Sequence, residues 1–531
     1  MDSKVRKLGF AFLAVMLASV GFVSGVTIRA SADVAAQVNA SQLVADMGAG
    51  WNLGNSLEAN INGIPSETAW NNPVVTQALV DRVKAAGFKT IRIPVSYLGH
   101  IGSGPNYTIN SSWLNRIQEV VNYAYNRGLY VLINMHGDGF KTVSGSWLIC
   151  DSSSQTAIRD KYQNVWQQIA TRFQGYNEHL IFESMNENFD GQYGRPTQPC
   201  YSNINAYNQI FVDTVRRTGG NNSSRWLLIP GWNTNIDYTT GNYGFLLPTD
   251  QYRSPSIPSN EQRIMISVHY YDPWDFTGEE SGTITQWGPA ATNPSKKSTW
   301  GQQDYMDAQL KKTYDTFVVR GYPVFVGEYG SIDKTPFDSS NNRYRADFAR
   351  TLVASAKKYG AATAYWDNGV NGQYGFGLFN RSSATVTQQG IIDAIMSAVG
   401  GTPTTPPATT PPATTTPPPS TPPATTTPPS NGRSCSASYT VMGQWQGGFQ
   451  AEVRVTAGGS GISGWTVTWT YANGQRVTQA WNASVSSSGS AVTARNVTYN
   501  GSIGAGGSTT FGFLASWNGT NSLPSLSCTA N

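Results

Sequence analysis

Residues 180–187 read Leu-Ile-Phe-Glu-Ser-Met-Asn-Glu, and residues 324–330 read Val-Phe-Val-Gly-Glu-Tyr-Gly. Each stretch contains an apolar run that is typical of a buried β-strand. In each stretch the apolar run gives way to a polar segment that carries a glutamate, Glu187 in the first and Glu328 in the second. Both glutamates are therefore predicted to lie where a strand stops and a loop begins.

The same rhythm of strand and polar segment continues on both sides of these two stretches. Short apolar strands alternate with amphipathic, helix-like stretches at a spacing of roughly 40–60 residues, which is typical of an α/β protein with a (β/α)8 TIM barrel. The alternative is an open doubly wound sheet, but the glycine-rich phosphate turn that ordinarily follows its first strand is missing from the sequence. The predicted strands lie near Val44–Leu53, Thr90–Ile93, Tyr130–Ile133, Leu180–Phe182, Trp226–Ile229, Ile264–Val268, Val324–Val326 and Thr363–Tyr365, and helices lie near Thr76–Ala86, Leu114–Arg127 and Arg345–Lys358.

Predicted strands four and seven would place Glu187 and Glu328 on one rim of this barrel. The carboxyl ends of the strands form the active face of the fold. A glycosidase that retains anomeric configuration needs two carboxyl groups about 5–5.5 Å apart, and long side chains on these strands can meet across the rim. The Asn-Glu pairs at 177–178 and 260–261 precede strand-like runs, so they are predicted to lie on the opposite, structural face.

The composition favours neutral, hydroxyl-rich partners over polyanions. Only 13% of the residues are charged, whereas 12% are aromatic and 16 are tryptophan. The formal net charge is +4, and residues 1–32 carry four basic residues and one acidic residue, so their removal would leave about +1. This balance argues against nucleic acid as a partner.

Residues 1–32 have the features of a secretory signal peptide. Basic residues near the start are followed by an apolar stretch, 8–26, and by the small-residue sequence Ala-Ser-Ala at 30–32. A membrane anchor is the alternative, since the apolar stretch is nearly long enough to span a bilayer, but its glycines and serines argue against it. We therefore expect an extracellular protein that is free of the membrane once the signal is removed.

Residues 401–433 are predicted to be a linker between two domains. Residues 401–430 contain 12 Pro, 12 Thr and no charge. Such a stretch cannot bury a core and favours an extended chain. The linker would join a (β/α)8 catalytic domain, 33–400, to a smaller domain, 434–531, in which short alternating runs between Gly, Ser and Asn turns predict a β-sandwich.

The cysteines divide between these two predicted domains. Cys150 and Cys200 lie in the first, and Cys435 and Cys528 bracket the second. In an exported chain they suggest two disulfides, for which three pairings are possible. Pairing within each domain is the simplest of the three.

A series of motifs at the predicted strand ends occurs in a characteristic order along the barrel. The motifs are Gly50-Trp51-Asn52-Leu53-Gly54-Asn55-Ser56, Ile91-Arg92-Ile93-Pro94, Asn134-Met135-His136, Met185-Asn186-Glu187, His269-Tyr270-Tyr271 and Gly327-Glu328-Tyr329-Gly330. As a set they resemble glycoside hydrolase family 5, the cellulase-type retaining enzymes. The resemblance covers the barrel motif by motif.

The resemblance implies roles for the two glutamates and their neighbours. Glu187 would be the acid/base and Glu328 the nucleophile. Asn186 would hydrogen-bond the sugar 2-hydroxyl, and Arg92 would keep Glu328 ionised. A structural alternative for Arg92 is an ion pair with Glu183 inside the barrel.

The resemblance also assigns the residues that surround the sugar. His136 and His269 would line the subsite of the cleaved sugar, Tyr271 would support Glu328, and Trp366 would be the floor on which the sugar ring stacks. The alternative for both histidines and for Trp366 is an ordinary core position. We expect no cofactor and no metal, since the sequence shows no close spacing of His, Cys and carboxylate residues.

The last domain resembles carbohydrate-binding module family 2, a cellulose-binding β-sandwich. The resemblance rests on the terminal cysteines and on Gly443-Gln444-Trp445, Gly464-Trp465, Gln479-Ala480-Trp481 and Asn500-Gly501-Ser502-Ile503. Trp445, Trp481 and Tyr499 match the places of the exposed aromatic strip that stacks on cellulose, and the alternative for Trp445 and Trp481 is a core position. Trp465 and Trp469 share one face of a strand and are predicted to be core.

The sequence therefore predicts a secreted, monomeric endo-β-1,4-glucanase that binds cellulose and cuts internal bonds with retention. Within the enzyme class, the alternatives are xyloglucan, mixed-linkage glucan or mannan as substrate. An alternative of another class is a cellulose-binding protein whose barrel has lost its activity. The presence of both glutamates and of their supporting residues argues against that alternative.

Overall fold

The computed structural model describes residues 38–400, 433–445, 447–497, 500–517 and 520–530. These residues form two compact units, one before and one after the predicted linker. The predicted signal peptide and almost the whole predicted linker lie outside the described residues. None of the helices in the described ranges combines the length and the hydropathy that a membrane crossing requires.

In the first unit, eight parallel strands close into a barrel. Each strand pairs with the next one along the chain, and the last pairs with the first. This confirms the predicted (β/α)8 TIM barrel. The strands are β1 (Ala49–Leu53), β2 (Thr90–Ile93), β3 (Tyr130–Ile133), β4 (Leu180–Glu183), β5 (Leu227–Pro230), β6 (Ile264–Tyr270), β7 (Val324–Tyr329) and β8 (Ala361–Asp367).

Helices alternate with the strands, and most of them bury an apolar face in one continuous core. Residues four apart on a helix lie on the same face, which gives these helices their apolar stripe. The helices are α1 (Ala40–Met47), α2 (Gln77–Ala85), α3 (Ser111–Tyr125), α4 (Gln155–Arg172), α5 (Cys200–Arg217), α6 (Ile236–Thr240), α7 (Trp274–Thr277), α8 (Gln303–Thr316), α9 (Asn341–Lys358) and α10 (Gln389–Val399).

The prediction of a first strand over Val44–Leu53 was wrong in its first half. Helix α1 occupies this part of the chain up to Met47, and β1 begins only at Ala49. The side chain of Asn39 accepts the backbone N–H of Gln42 and thereby caps the helix. Leu43 and Met47, one helical turn apart, are both fully buried. The apolar residues before Gly48 thus follow the helical period rather than that of a strand.

The interior of the barrel changes from apolar to polar along the strands. Near the amino ends, Leu43 and Met47 of α1 pack with strand residues such as Leu132, Ile181 and Phe325. Towards the carboxyl ends, polar side chains such as Arg92 and Glu183 are fully buried. Because successive side chains in a strand point to opposite faces, an arginine between two core isoleucines projects into the barrel. The polar layer therefore lies just beneath the rim that carries the predicted site.

The second unit is a β-sandwich of two antiparallel sheets. Its strands are β9 (Cys435–Trp445), β10 (Gly448–Ala457), β11 (Trp465–Thr470), β12 (Arg476–Trp481), β13 (Ser484–Ser488), β14 (Ala491–Arg495), β15 (Ser508–Ser516) and β16 (Leu526–Ala530). One sheet has the order β9-β10-β15-β12, and the other has the order β13-β14-β11-β16. Trp465 and Trp469 are buried between the two sheets, which confirms their prediction as core.

Each unit contains one disulfide. Cys150 pairs with Cys200, so the segment that follows β3 is joined to the first residue of α5. Cys435 pairs with Cys528, which joins β9 in one sheet to β16 in the other. Both pairs agree with the simplest of the three pairings considered from the sequence.

Candidate active site

Arg92 lies at the centre of the polar layer and is fully buried. Its Nε donates to Glu183 at 2.7 Å, and its Nη1 donates to Glu328 at 2.8 Å. The same guanidinium donates to Oδ1 of Asn52 and of Asn186, at 2.9 and 2.7 Å. The two partners that the sequence offered as alternatives, Glu183 and Glu328, are therefore bound at the same time. A planar guanidinium with several fixed donors is suited to bridge such a group of acceptors.

Glu183 serves as a buried anchor for this network. Its Oε2 accepts from Arg92 and from Nδ2 of Asn134 at 3.1 Å, and its Oε1 accepts from the hydroxyl of Ser267 at 2.6 Å. The side chain is fully buried, so it has no contact with a substrate. Ser267 was not predicted as a member of this network, although a serine in the middle of an apolar strand indicates a polar contact inside the barrel.

Glu328 lies at the end of β7 and is 5% exposed. The hydroxyl of Tyr271 donates to its Oε2 at 3.1 Å. Burial raises the pKa of Glu328 above its usual value. The nearby Glu187 adds to this rise in pKa, whereas His269 and Arg92 oppose it. Burial and the nearby Glu328 also raise the pKa of Tyr271 well above its usual value, so Tyr271 stays protonated and remains a donor.

Glu187 follows β4 and approaches the same point from the other side of the rim. Its side chain is 26% exposed, and its Oε1 lies 2.7 Å from Nδ1 of His269. That nitrogen also lies 3.6 Å from Oε2 of Glu328. One carboxyl oxygen of Glu187 and one of Glu328 lie within 4.8 Å of each other. Two carboxyl groups therefore converge on one small space at the carboxyl ends of β4 and β7.

Trp366 and His136 border this space on the side of β8 and β3. Their rings are nearly parallel, with 6° between the planes and 5.9 Å between the centroids. Trp366 is only half-buried, so it is not an ordinary core residue. Nδ2 of Asn134 donates to Nδ1 of His136 at 3.2 Å. Burial and the charge of Arg92 lower the pKa of His136 well below its usual value, so the ring is neutral near pH 7.

The structure thus brings all the predicted barrel residues together at one site. Arg92, Asn186, Glu187, Glu328, His269 and Tyr271 are linked by direct polar contacts, and His136 and Trp366 lie beside them. The predicted cellulose-binding aromatics cannot be placed in the same way. Trp445 and Trp481 end strands β9 and β12, but their side chains, and Tyr499 altogether, lie outside the described residues.

In the described part of the chain, one group could offer a metal ion three ligand atoms, from Glu187, His269 and Glu328. Arg92 already places a positive charge 2.8 Å from Glu328, which disfavours a second cation at this point. Mixed carboxylate and imidazole contacts of this kind also suit proton transfer between the groups. The arrangement is therefore better suited to acid–base chemistry on a neutral substrate.

Comparison with protein families assigns both units. Residues 54–372 match the model of the cellulases of glycosyl hydrolase family 5, and residues 435–531 match the model of the cellulose binding domain. Endoglucanase A of Paenibacillus barcinonensis is 64% identical over 399 residues, which cover 75% of this chain and 100% of that protein.

Solved structures show the same relationship. A family 5 xyloglucanase from Paenibacillus pabuli is 68% identical, covers 67% of this chain and 100% of its own, and has a TM-score of 0.67. A broad-specificity endoglucanase from Bacteroides salanitronis is 38% identical, covers 68% of this chain and 96% of its own, and has a TM-score of 0.63. The chain therefore belongs to glycosyl hydrolase family 5, as a glycoside hydrolase of the cellulase type that also carries a cellulose-binding domain.

Proposed function

We propose that the protein is a secreted endo-β-1,4-glucanase that cuts internal glucosidic bonds with retention of anomeric configuration. The observation that carries this proposal is the short distance, within 4.8 Å, between carboxyl oxygens of Glu187 and Glu328. Retaining enzymes place their carboxyl groups about 5–5.5 Å apart, whereas inverting enzymes leave about 6.5–9.5 Å for a water molecule. The separation in this site is nearer to the retaining value, so it supports retention.

The surroundings of the two glutamates give them different roles. Glu328 is buried, accepts hydrogen bonds from Arg92 and Tyr271, and acts as the nucleophile on the anomeric carbon. Glu187 is more exposed and contacts His269, so it can exchange protons. It protonates the leaving oxygen in the first step and accepts a proton from water in the second. Neither step requires a metal or a cofactor.

The residues around the pair bind and orient the sugar. Arg92 binds Oδ1 of Asn186 at 2.7 Å, which directs the amide of Asn186 towards the sugar 2-hydroxyl. Trp366 is the platform on which the sugar ring stacks, because pyranose rings present flat faces of C–H groups to aromatic rings. His136 and His269 line the same subsite.

Two similarities support cellulose as the substrate of this chain: the match to the cellulose binding domain and the identity to Endoglucanase A of P. barcinonensis. Xyloglucan is a second candidate, which is favoured by the 68% identity to the P. pabuli xyloglucanase. Both polymers have a β-1,4-glucan backbone, so the same catalytic pair serves either one. The loops around the cleft decide which branches are tolerated.

A panel of soluble polymers tests the activity and separates the candidates. We expect reducing ends to be released from carboxymethylcellulose and xyloglucan, and more slowly from mannan, whose axial 2-hydroxyl changes the contact with Asn186. Proton NMR of the first product should show the β-anomer before mutarotation. An initial α-product would contradict retention, and a panel without any hydrolysis would favour the non-catalytic alternative.

Removal of the C-terminal domain tests the division of labour between the two units. The predicted Pro/Thr linker is expected to transmit no fixed geometry, so the C-terminal domain should raise the local concentration of the enzyme at a surface without shaping the active site. We therefore expect truncation after Gly400 to leave kcat/KM on soluble glucan within about twofold and to lower the release of sugar from insoluble cellulose several-fold.

Substitutions in the C-terminal domain refine this test. Trp445→Ala or Trp481→Ala should reproduce the effect of truncation on cellulose, and Tyr499→Ala should have a smaller effect because its ring is smaller. Trp465→Ala is the control for loss of a core ring, and it should unfold the domain, as judged by circular dichroism. Equal losses on soluble and insoluble substrates after truncation would contradict independent domains.

A further inference from the structure

Arg381 is a buried arginine that lies beyond the residues matched by the family model and has no part in the reaction as described so far. It is 4% exposed and follows the short strand Phe379–Asn380, which comes after β8. Its Nη1 donates to the carbonyl of Gly54 at 2.6 Å and to Oγ of Ser56 at 2.9 Å. Its Nη2 donates to the carbonyl of Asp367 at 2.6 Å and to Oδ1 of Asp367 at 3.0 Å. One guanidinium thus bridges the chain just after β1 to the last residue of β8.

The two strand ends that Arg381 joins also meet each other directly. The backbone N–H of Gly54 donates to the carbonyl of Asp367 at 3.0 Å, and Leu53 pairs with Asp367 in the barrel. The carboxylate of Asp367 is held in turn by Nε1 of Trp51 at 3.0 Å and by the N–H of Leu378 at 2.8 Å. Asp367 is therefore a fixed point to which Arg381 attaches the first loop of the barrel.

The indole of Trp366 rests on this junction. A β-carbon added at Gly54 would lie 2.8 Å from Cη2 and 2.9 Å from Cζ2 of Trp366. The same β-carbon would lie 2.8 Å from the carbonyl oxygen of Asp367. The indole is therefore in close contact with the bare backbone of residue 54. Any separation of the two strand ends would shift the height and tilt of the ring in the cleft.

We propose that Arg381 is a positioning residue that fixes the sugar platform by holding the ends of β1 and β8 together. This role rests on the platform function proposed above for Trp366. Removing the guanidinium would leave the buried carbonyl of Gly54 without its donor, whereas the carbonyl and Oδ1 of Asp367 would keep the backbone N–H groups of Gly54 and Gly369. A buried carbonyl without a donor moves to find another partner, and this one belongs to the residue that the indole contacts. Lysine has a single donor group, so it cannot serve both chain segments in the same geometry.

A double-mutant cycle separates positioning from a purely structural role. We expect Arg381→Lys to lower kcat/KM on soluble β-glucan about 10-fold to 100-fold, because a small displacement of a binding group is costly in catalysis. In the Trp366→Ala background the same substitution should lower kcat/KM by less than about 2-fold, because coupled residues are not additive. Equal fold-losses in both backgrounds would overturn the proposal, whatever happens to the thermal midpoint.

Arg225→Lys is the matched control. Arg225 is also a buried arginine that donates to backbone carbonyls, among them those of Phe173 and Leu180, but these lie at the opposite end of the barrel. Arg225→Lys should lower the thermal midpoint and leave kcat/KM of the folded enzyme unchanged in both backgrounds. If Trp366→Ala by itself leaves kcat/KM intact, the platform function and the role of Arg381 both fail, even though the enzyme remains a glycosidase.

A milder variant covers the case in which Arg381→Lys does not fold. Ser56→Ala removes one acceptor of the bridge and keeps the arginine. We expect a loss of about 2-fold to 5-fold in kcat/KM, in line with one hydrogen bond, and no further loss once Trp366 is alanine. A Ser56→Ala loss that persists in the Trp366→Ala background would also overturn the proposal.

Discussion

Replacing Glu328 with glutamine is expected to lower kcat on every β-glucan by at least about 10⁴-fold, because the amide cannot form a glycosyl-enzyme. The substitution keeps the size of the side chain, and its one oxygen can still accept from Arg92 while its new NH2 group donates to the hydroxyl oxygen of Tyr271. The measurement is initial-rate hydrolysis of a soluble glucan together with intact mass after reaction with a fluorinated aryl cellobioside. We expect the wild-type enzyme to gain the mass of the sugar and Glu328→Gln to gain none.

Glu187→Gln should have a different signature, because it removes the proton donor and keeps the nucleophile. On polymeric glucan we expect a loss of about 10²-fold to 10⁴-fold, the usual contribution of general acid–base catalysis. On a dinitrophenyl cellobioside, whose leaving group needs no proton, the first step should persist as a burst. Azide should then restore turnover and give a β-glycosyl azide.

Glu178→Gln is the control for these two variants. Glu178 follows an asparagine, as Glu187 does, but it precedes β4 and lies at the structural end of the barrel. Glu178→Gln should leave kcat/KM on β-glucan unchanged. The roles would be exchanged if Glu328→Gln showed the burst and Glu187→Gln did not.

Arg92→Lys is expected to produce the second large effect. The arginine bridges Glu183, Glu328, Asn52 and Asn186, and a lysine at this position can satisfy only part of that set. Breaking a buried ion pair costs about 3–5 kcal/mol. We expect a lower thermal midpoint and a loss in kcat/KM of at least about 100-fold in the fraction that remains folded.

The pH profile of Arg92→Lys gives the sign of the electrostatic effect. Arg92 opposes the rise in the pKa of Glu328 that burial causes, so weakening this contact should raise that pKa further. A nucleophile must be ionised, so the acidic limb of the kcat/KM profile should move to higher pH. An acidic limb that stays in place would show that Arg92 is structural.

Arg216→Lys is the matched control for loss of a buried, ion-paired arginine. Arg216 pairs with Asp250 at 2.8 Å and donates to the carbonyls of Asn222 and Arg225, far from the rim. Arg216→Lys should lower the thermal midpoint without moving the acidic limb of the kcat/KM profile.

Much of the barrel could be predicted from the sequence because each strand is a short apolar run flanked by polar residues. Strands β2 and β3 begin and end where the pattern predicts. The error at Val44 has a physical cause, since a short apolar run is compatible with both a strand and a buried helical face. Only the capping by Asn39 and the burial of Leu43 and Met47 together identify α1 as a helix.

By itself, the sequence determined which side chains lie at the carboxyl ends of the strands, and these included both glutamates, Arg92 and Trp366. It did so because side-chain direction alternates along a strand and because apolar runs mark where strands end. The tertiary structure alone decided that Arg92 bonds Glu183 and Glu328 at once, that oxygens of Glu187 and Glu328 lie within 4.8 Å, and that Arg381 joins β1 to β8. These contacts join residues that are distant along the chain, so their distances depend on how the closed barrel sets the separation of its strands.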